Sequence, residues 1–147
     1  MGISSKNMIS YNFITHPAKN QIREIIRLYQ MEKWWEGDSD NPEIVKKIIS
    51  GSHCFLIATE NDSIIGMGRA ISDRASDAYI QDVTVLPVFR GKKIGSRIIG
   101  MIIEKLNRDG IGWIGLIAEK NAKAFYEPLG FSVMPNAAPM LRKTNLS

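Results

Sequence analysis

DVTVLPVFRGKKIGSRIIG, residues 82–100, runs from an apolar stretch through Pro87 into a basic, glycine-bearing turn and out into isoleucines. Its first part completes AYIQDVTV (78–85), a run of strand type ended by the proline. Residues 96–109 follow a helical period: Ile98, Ile99, Ile102, Ile103 and Leu106 share one face, and Gly110 is placed to cap the end. WIGLIA (113–118) is again of strand type. Strand, helix and strand in that order make one β-α-β crossover with parallel strands. The turn from Arg90 to Ser96 therefore lies between the carboxyl end of a strand and the amino end of a helix.

A helix amino terminus presents unpaired backbone N–H groups and about half a unit of positive charge. Glycines let those groups converge, and Arg90, Lys92, Lys93 and Arg97 add full charges. The combination suits a phosphate; a solvated basic turn between two core elements is the plainer alternative. Three residues separate Gly91 from Gly95, one short of the P-loop spacing. Residues 110–115 spell G-x-G-x-x-G, but they follow a helix and enter a strand, the reverse of the dinucleotide fingerprint.

Outward from this unit, MISYNFIT (8–15) alternates loosely as a first strand. Residues 17–35 carry Ile22, Ile25, Ile26, Tyr29 and Lys33 at helical spacing, with Pro17 in the first turn. DNPEIVKKIIS (40–50) predicts a second helix with Asn41 as cap, Pro42 at the first position, and Ile44, Val45, Ile48 and Ile49 on one face. CFLIAT (54–59) and IIGMGRAI (64–71) about ENDS (60–63) read as an antiparallel hairpin. A short helix over 121–127 capped by Asn121 and a last strand around 132–142 complete the order. The expected class is α/β: a mixed, mostly antiparallel sheet with helices on both faces, in one domain over residues 1–147.

With 44% hydrophobic and 23% charged residues, the 147-residue chain can build a core and is not of disordered type. The one cysteine, Cys54, excludes an internal disulfide and sits in an apolar run, where packing is expected over reactivity. Two isolated histidines give no basis for a metal site. A net charge of +4 is too small to imply a nucleic-acid partner. No apolar stretch is long enough for a membrane span, and MGISSKNMIS lacks a signal-peptide core, so the expected compartment is the cytoplasm.

DVTVLPVFRGKKIGS resembles the acyl-coenzyme A motif of the GNAT superfamily of N-acetyltransferases, Gln/Arg-x-x-Gly-x-Gly/Ala between a strand and a helix. Arg90 takes the first place and Gly95 the last. Lys93 departs from the pattern, standing where the family usually has its first glycine, and this puts a side chain beside the pyrophosphate. NAKAFYEPLGF (121–131) resembles the family's A-x-x-F-Y-E-x-x-G-F segment. With the order of elements, the resemblance covers nearly the whole chain. It implies a GNAT-like fold and an N-acetyltransferase that moves the acetyl group of acetyl-coenzyme A, its donor substrate, to a primary amine by direct attack in a ternary complex.

The resemblance implies roles as well. Backbone groups of Val83, Thr84 and Val85 would pair with the pantetheine arm and polarise the thioester carbonyl. Arg90, Gly91, Lys92, Lys93, Ile94, Gly95 and Ser96 would hold the pyrophosphate, and Lys92, Lys93 or Arg97 would reach the 3′-phosphate. Asn121 and Phe125 would also contact this donor. Tyr126 is the implied general acid toward the coenzyme A sulfur, with an aromatic pair beside Phe125 as its plainer role. Asp82 is a candidate base, directly or through water, or else a carboxylate that only orders backbone or pairs with an arginine. Gln81 cannot be a base but could hold a water.

In this family the acceptor is chosen largely by the first two helices, their connection, here EKWWEGDSDN (32–41), and the chain's end. Adjacent Trp34 and Trp35 are not expected to share one core, so at least one is expected exposed or lining a cleft. With Glu36, Asp38 and Asp40 beside them they suit a cationic amine. The plainer reading is one core tryptophan, one lid tryptophan and a solvated acidic loop. Three functions stand: acetylation of a small-molecule amine, acetylation of a protein lysine or N-terminus, and a non-catalytic acyl-coenzyme A-binding module. The expected partners are a small amine acceptor and a second copy in a homodimer, with neither nucleic acid nor membrane.

Overall fold

Antiparallel pairing builds most of the sheet, and one break in side-chain alternation shapes the site. In the computed structural model, which describes residues 8–35 and 41–144, β1 (Ile9–Phe13), β2 (Cys54–Glu60), β3 (Ser63–Ser72) and β4 (Asp77–Val85) pair antiparallel in sequence order. β5 (Trp113–Gly115) joins β4 in parallel. Asn61 and Asp62, both at positive φ, close the β2–β3 hairpin as the sequence leads one to expect.

α1 (Lys19–Met31) and α2 (Pro42–Gly51) cover one face, where Ile25, Leu28 and Tyr29 of α1 and Val45 and Ile49 of α2 pack with Phe55, Ile57 and Met67 of the sheet. α3 (Ile94–Arg108) covers the other. There the sheet offers Gly66 and Gly68, and a Cβ added at Gly68 would lie 2.8 Å from Ile98 Cγ2. Cys54 is buried, and burial pushes its thiol up to about 11, as packing rather than reactivity requires. Mixed pairing with helices on both faces is the architecture expected.

The break is in β4. Arg69 pairs with Gln81 and Met67 with Thr84, so Asp82 and Val83 together oppose Gly68. This is a β-bulge, with Asp82 in the left-handed region at φ 56°. Side chains alternate along a strand, so the extra residue inverts the phase beyond it. Ala78 and Ile80 are buried toward α3 before the bulge; afterwards Val83 and Val85 take that face and Thr84 turns to α1.

The chain divides into a larger unit, Met1–Leu116, and a smaller one, Ile117–Ser147. In the smaller unit α4 (Lys123–Tyr126) runs into a 3₁₀ turn, Glu127–Leu129, ended by Gly130. Several expectations need correction. Pro17 precedes α1 instead of entering its first turn: Ala18 is the cap, its N–H donating to Gln21 Oε1 at 2.8 Å. α3 begins at Ile94, ahead of the expected 96, and β5 ends at Gly115, short of 118. Asn121 does not cap α4, because Lys120 and Asn121 are both left-handed and the cap passes to Ala122. Residues 132–142 form no strand; Pro135 and Pro139 lack the N–H a ladder needs.

Candidate active site

Val83, Thr84 and Val85 run from the bulge to the end of β4, where β3 is the strand's one partner among the described residues. β5 covers Asp77 to Tyr79 of β4 and goes no further. Past Tyr79, the edge of β4 turned from β3 has no strand partner among the described residues, which leaves main-chain donors and acceptors there for a ligand.

Polar side chains fix this stretch from the α1 side. Asp82 Oδ2 accepts from Tyr29 Oη at 2.7 Å and from Arg69 Nε at 2.6 Å. Arg69 spends Nη1 on Ser52 Oγ at 3.3 Å and Nη2 on Gln81 Oε1 at 3.4 Å. Thr84 Oγ1 donates to Glu32 Oε1 at 2.9 Å. Arg90, the first motif residue, gives Nη2 to the same carboxylate oxygen at 3.1 Å and Nε to the Val85 carbonyl at 2.9 Å. Its guanidinium thus ties the end of β4 to the C-cap of α1. Burial, then the Asp82 carboxylate, pushes the Tyr29 hydroxyl well above the usual phenol range, so it is a donor at any physiological pH.

Beyond Arg90 the chain turns through Gly91 at φ 80° and Lys93 at φ 64° into α3. Lys93, in the family's glycine position, occupies a glycine-like conformation, at a cost of about 1–2 kcal/mol for a side-chain-bearing residue. The helix has no side-chain cap and no acidic residue in its first turn. Its first ladder bond is Arg97 N–H to Lys93 O at 3.1 Å, so the N–H groups of Ile94, Gly95 and Ser96 precede the ladder. Gly91, Lys92 and Lys93 are exposed, and Gly95 and Ser96 half-buried. The Lys92 ammonium lies 5.4 Å from the Phe89 ring centroid, and the Arg97 guanidinium 5.9 Å from that of Tyr11.

In the smaller unit Gly130, at φ 99°, folds the chain back, and Phe131 N–H reaches Tyr126 O at 3.3 Å. Tyr126 is half-buried, edge-on to Phe125 at 4.9 Å and to Phe131 at 5.8 Å. Burial, then the Glu119 carboxylate, raises the Tyr126 pKa, so the hydroxyl keeps its proton at neutral pH.

The tryptophans do not part as expected. Both are half-buried against the α1–α2 core. Lys33, at φ 58°, lets Trp34 N–H return to Tyr29 O at 3.1 Å, and both rings then meet Tyr29. Glu36, Asp38 and Asp40 lie outside the described residues. Sequence reasoning missed Tyr29, Glu32 and Arg69 as parts of this region; the charge of Arg69 inside IIGMGRAI was the available sign.

Residues 13–139 match the acetyltransferase (GNAT) domain family. The chain belongs to the GNAT acetyltransferase family. As a GNAT enzyme it is an acetyl-coenzyme A-dependent N-acetyltransferase, as the resemblance implied. It is 32% identical over 118 residues to an uncharacterized N-acetyltransferase, ycf52, of Porphyra purpurea, across 76% of this chain and 68% of that protein. A histone acetyltransferase, TAP1, of Glycine max is 41% identical over 76 residues, 52% of this chain and 33% of its own length. A probable acetyltransferase of Staphylococcus aureus shares the fold at a TM-score of 0.76 and 22% identity, over 93% of this chain and 100% of that one. So does a predicted acetyltransferase of Clostridium acetobutylicum solved with acetyl-coenzyme A, at 0.69 and 18%, over 91% and 96%. No helix among the described residues is long and apolar enough to cross a membrane.

Proposed function

We propose that this GNAT enzyme acetylates a primary amine of a small molecule, with residues 1–147 acting as one domain and acetyl-coenzyme A bound along β4 and the turn that follows. The observation that carries the reading is the open amino end of α3: N–H groups ahead of the ladder, flanked by exposed Lys92 and Lys93, shortly after a strand whose edge past Tyr79 has no strand partner among the described residues. That arrangement fits a pyrophosphate and a chain of amides side by side. Gly91 to Ser96 supply backbone donors, and Lys92, Lys93 or Arg97 the charge for the further phosphate. Arg90 shapes the turn through Val85 and Glu32.

When bound, the donor supplies an acetyl thioester. A backbone N–H of Val83–Val85 polarises its carbonyl as the amine attacks. Asp82, directly or through a water held with Gln81, takes the ammonium proton. Tyr126 gives a proton or hydrogen bond to the departing sulfur, and Asn121 and Phe125 contact the donor. Trp34 and Trp35 offer aromatic faces to the acceptor. Acetylation of a protein lysine or N-terminus is the second reading, favoured by the likeness to the Glycine max histone acetyltransferase. A homodimer and a cytoplasmic site are part of the proposal; a relative named as chloroplastic makes the plastid the alternative compartment.

A turnover screen with acetyl-coenzyme A against spermidine, glucosamine, phenethylamine and lysine peptides tests the acceptor. Turnover confined to peptides would replace the first reading by the second. Tyr126→Phe tests the acid. It keeps the ring against Phe125 and deletes the donor, so single-turnover rates should fall by roughly 10²-fold or more with donor affinity nearly unchanged. A near-normal rate would leave Tyr126 only its packing.

A further inference from the structure

We propose that Tyr29 is a positioning residue for the transfer step, joining the tryptophan pair to the strand that receives the donor. The inference rests on the reading of Val83–Val85 given above and adds to it a residue that lies in neither family motif. One buried side chain makes both connections. Its ring stacks on Trp35 at 4.4 Å and 6°, and meets Trp34 edge-on at 5.9 Å. Its hydroxyl donates to Asp82 Oδ2 at 2.7 Å.

Asp82 is the point at which such a hold matters. It is the left-handed residue of the bulge, at φ 56°. A non-glycine residue in that conformation stays there because its surroundings over-determine it. Both side-chain donors to Oδ2 come from outside β4, Arg69 from β3 and Tyr29 from α1. Arg69 is itself fixed by Ser52 and Gln81. Three residues further on, at the C-cap of α1, Glu32 accepts from Thr84. Tyr29 in the last turn of α1 and Glu32 at its C-cap therefore grip two residues of β4, one at the bulge and one beyond it. Immediately after this grip Lys33 turns the chain into Trp34 and Trp35. A shift of the tryptophans on binding an acceptor is thus passed through the Tyr29 ring and hydroxyl to Asp82, and from there to the main chain of Val83–Val85.

Hydrogen exchange of the full chain tests this. Tyr29→Phe keeps the aromatic stack and removes the hydroxyl. Exchange of the amides in 80–86 should then quicken by on the order of tenfold while that of α3 is unchanged. Asp82→Asn keeps an acceptor and tolerates the left-handed conformation, so its exchange should stay near wild type; Asp82→Ala should behave like Tyr29→Phe. In turnover of phenethylamine, kcat of Tyr29→Phe should drop on the order of tenfold with the KM for acetyl-coenzyme A within about twofold. Unchanged exchange at 80–86 in Tyr29→Phe, or an equal increase throughout the protein, would overturn the role of Tyr29. Failure of acetyl-coenzyme A to protect 83–96 in the wild type would overturn the donor-site reading itself, and the transfer role with it.

Discussion

At its carboxyl end α3 is closed by the protein. Ile111 N–H returns to Leu106 O at 2.9 Å and Gly110 N–H to Asn107 O at 3.1 Å, with Gly110 at φ 83° and Ile111 buried. These are the bonds of a Schellman motif. Asp109 closes the end further, holding His53 Nε2 at 2.7 Å and Lys105 Nζ at 3.2 Å. At its amino end the same helix has no side-chain cap, a strained lysine at the cap position and three donors ahead of the first ladder bond. The donors and the dipole are the same in kind as those of any helix. The difference is what completes them: protein groups at one end and, on the reading proposed above, the donor's phosphates at the other.

Exchanging binding for folding at the two ends gives the largest contrast. Gly95→Val should leave the protein folded and abolish acetyl-coenzyme A binding, measured by calorimetry. Gly110→Ala should keep binding and lose about 1 kcal/mol of stability in urea, since alanine must then adopt the left-handed conformation. Retained binding in Gly95→Val would remove the turn from the site. A smaller effect is expected from Lys93→Gly, which relieves strain and should stabilise the fold by up to about 1 kcal/mol. No gain would mean that the lysine side chain offsets its own backbone cost. The smallest concerns pH. His53, then Lys105, hold the Asp109 carboxyl below its usual range. Its contribution is therefore present above the ordinary carboxylate pKa and fades as pH falls through the lowered one. Asp109→Asn should flatten that acid limb of the urea midpoint and leave donor affinity unchanged.

Which parts of this were legible follows from how local each feature is. The β4–α3–β5 crossover and the Gly110 cap rest on period and on neighbours a few residues apart, and both stand. The bulge was also written in the chain: apolar residues fall on 78 and 80, then on 83 and 85, a slip in a period-two pattern that reading 78–85 as one regular strand passed over. The grip on Asp82 was not legible, because Tyr29 is 53 residues away and looked like one more apolar position on α1. The tryptophans were misjudged because the left-handed turn at Lys33, which brings both rings to Tyr29, has no glycine to announce it. The last strand expected around 132–142 gave too little weight to Pro135 and Pro139 within that range.

The central claim is that the amino end of α3 is completed by the donor. Titration of ¹⁵N-labelled protein with acetyl-coenzyme A tests it most directly. The amides of residues 91–96 should shift and saturate together with those of 83–85, while the amides of 109–111 at the closed end stay in place. Saturable binding that moves the closed end, or leaves 91–96 unmoved, would contradict it.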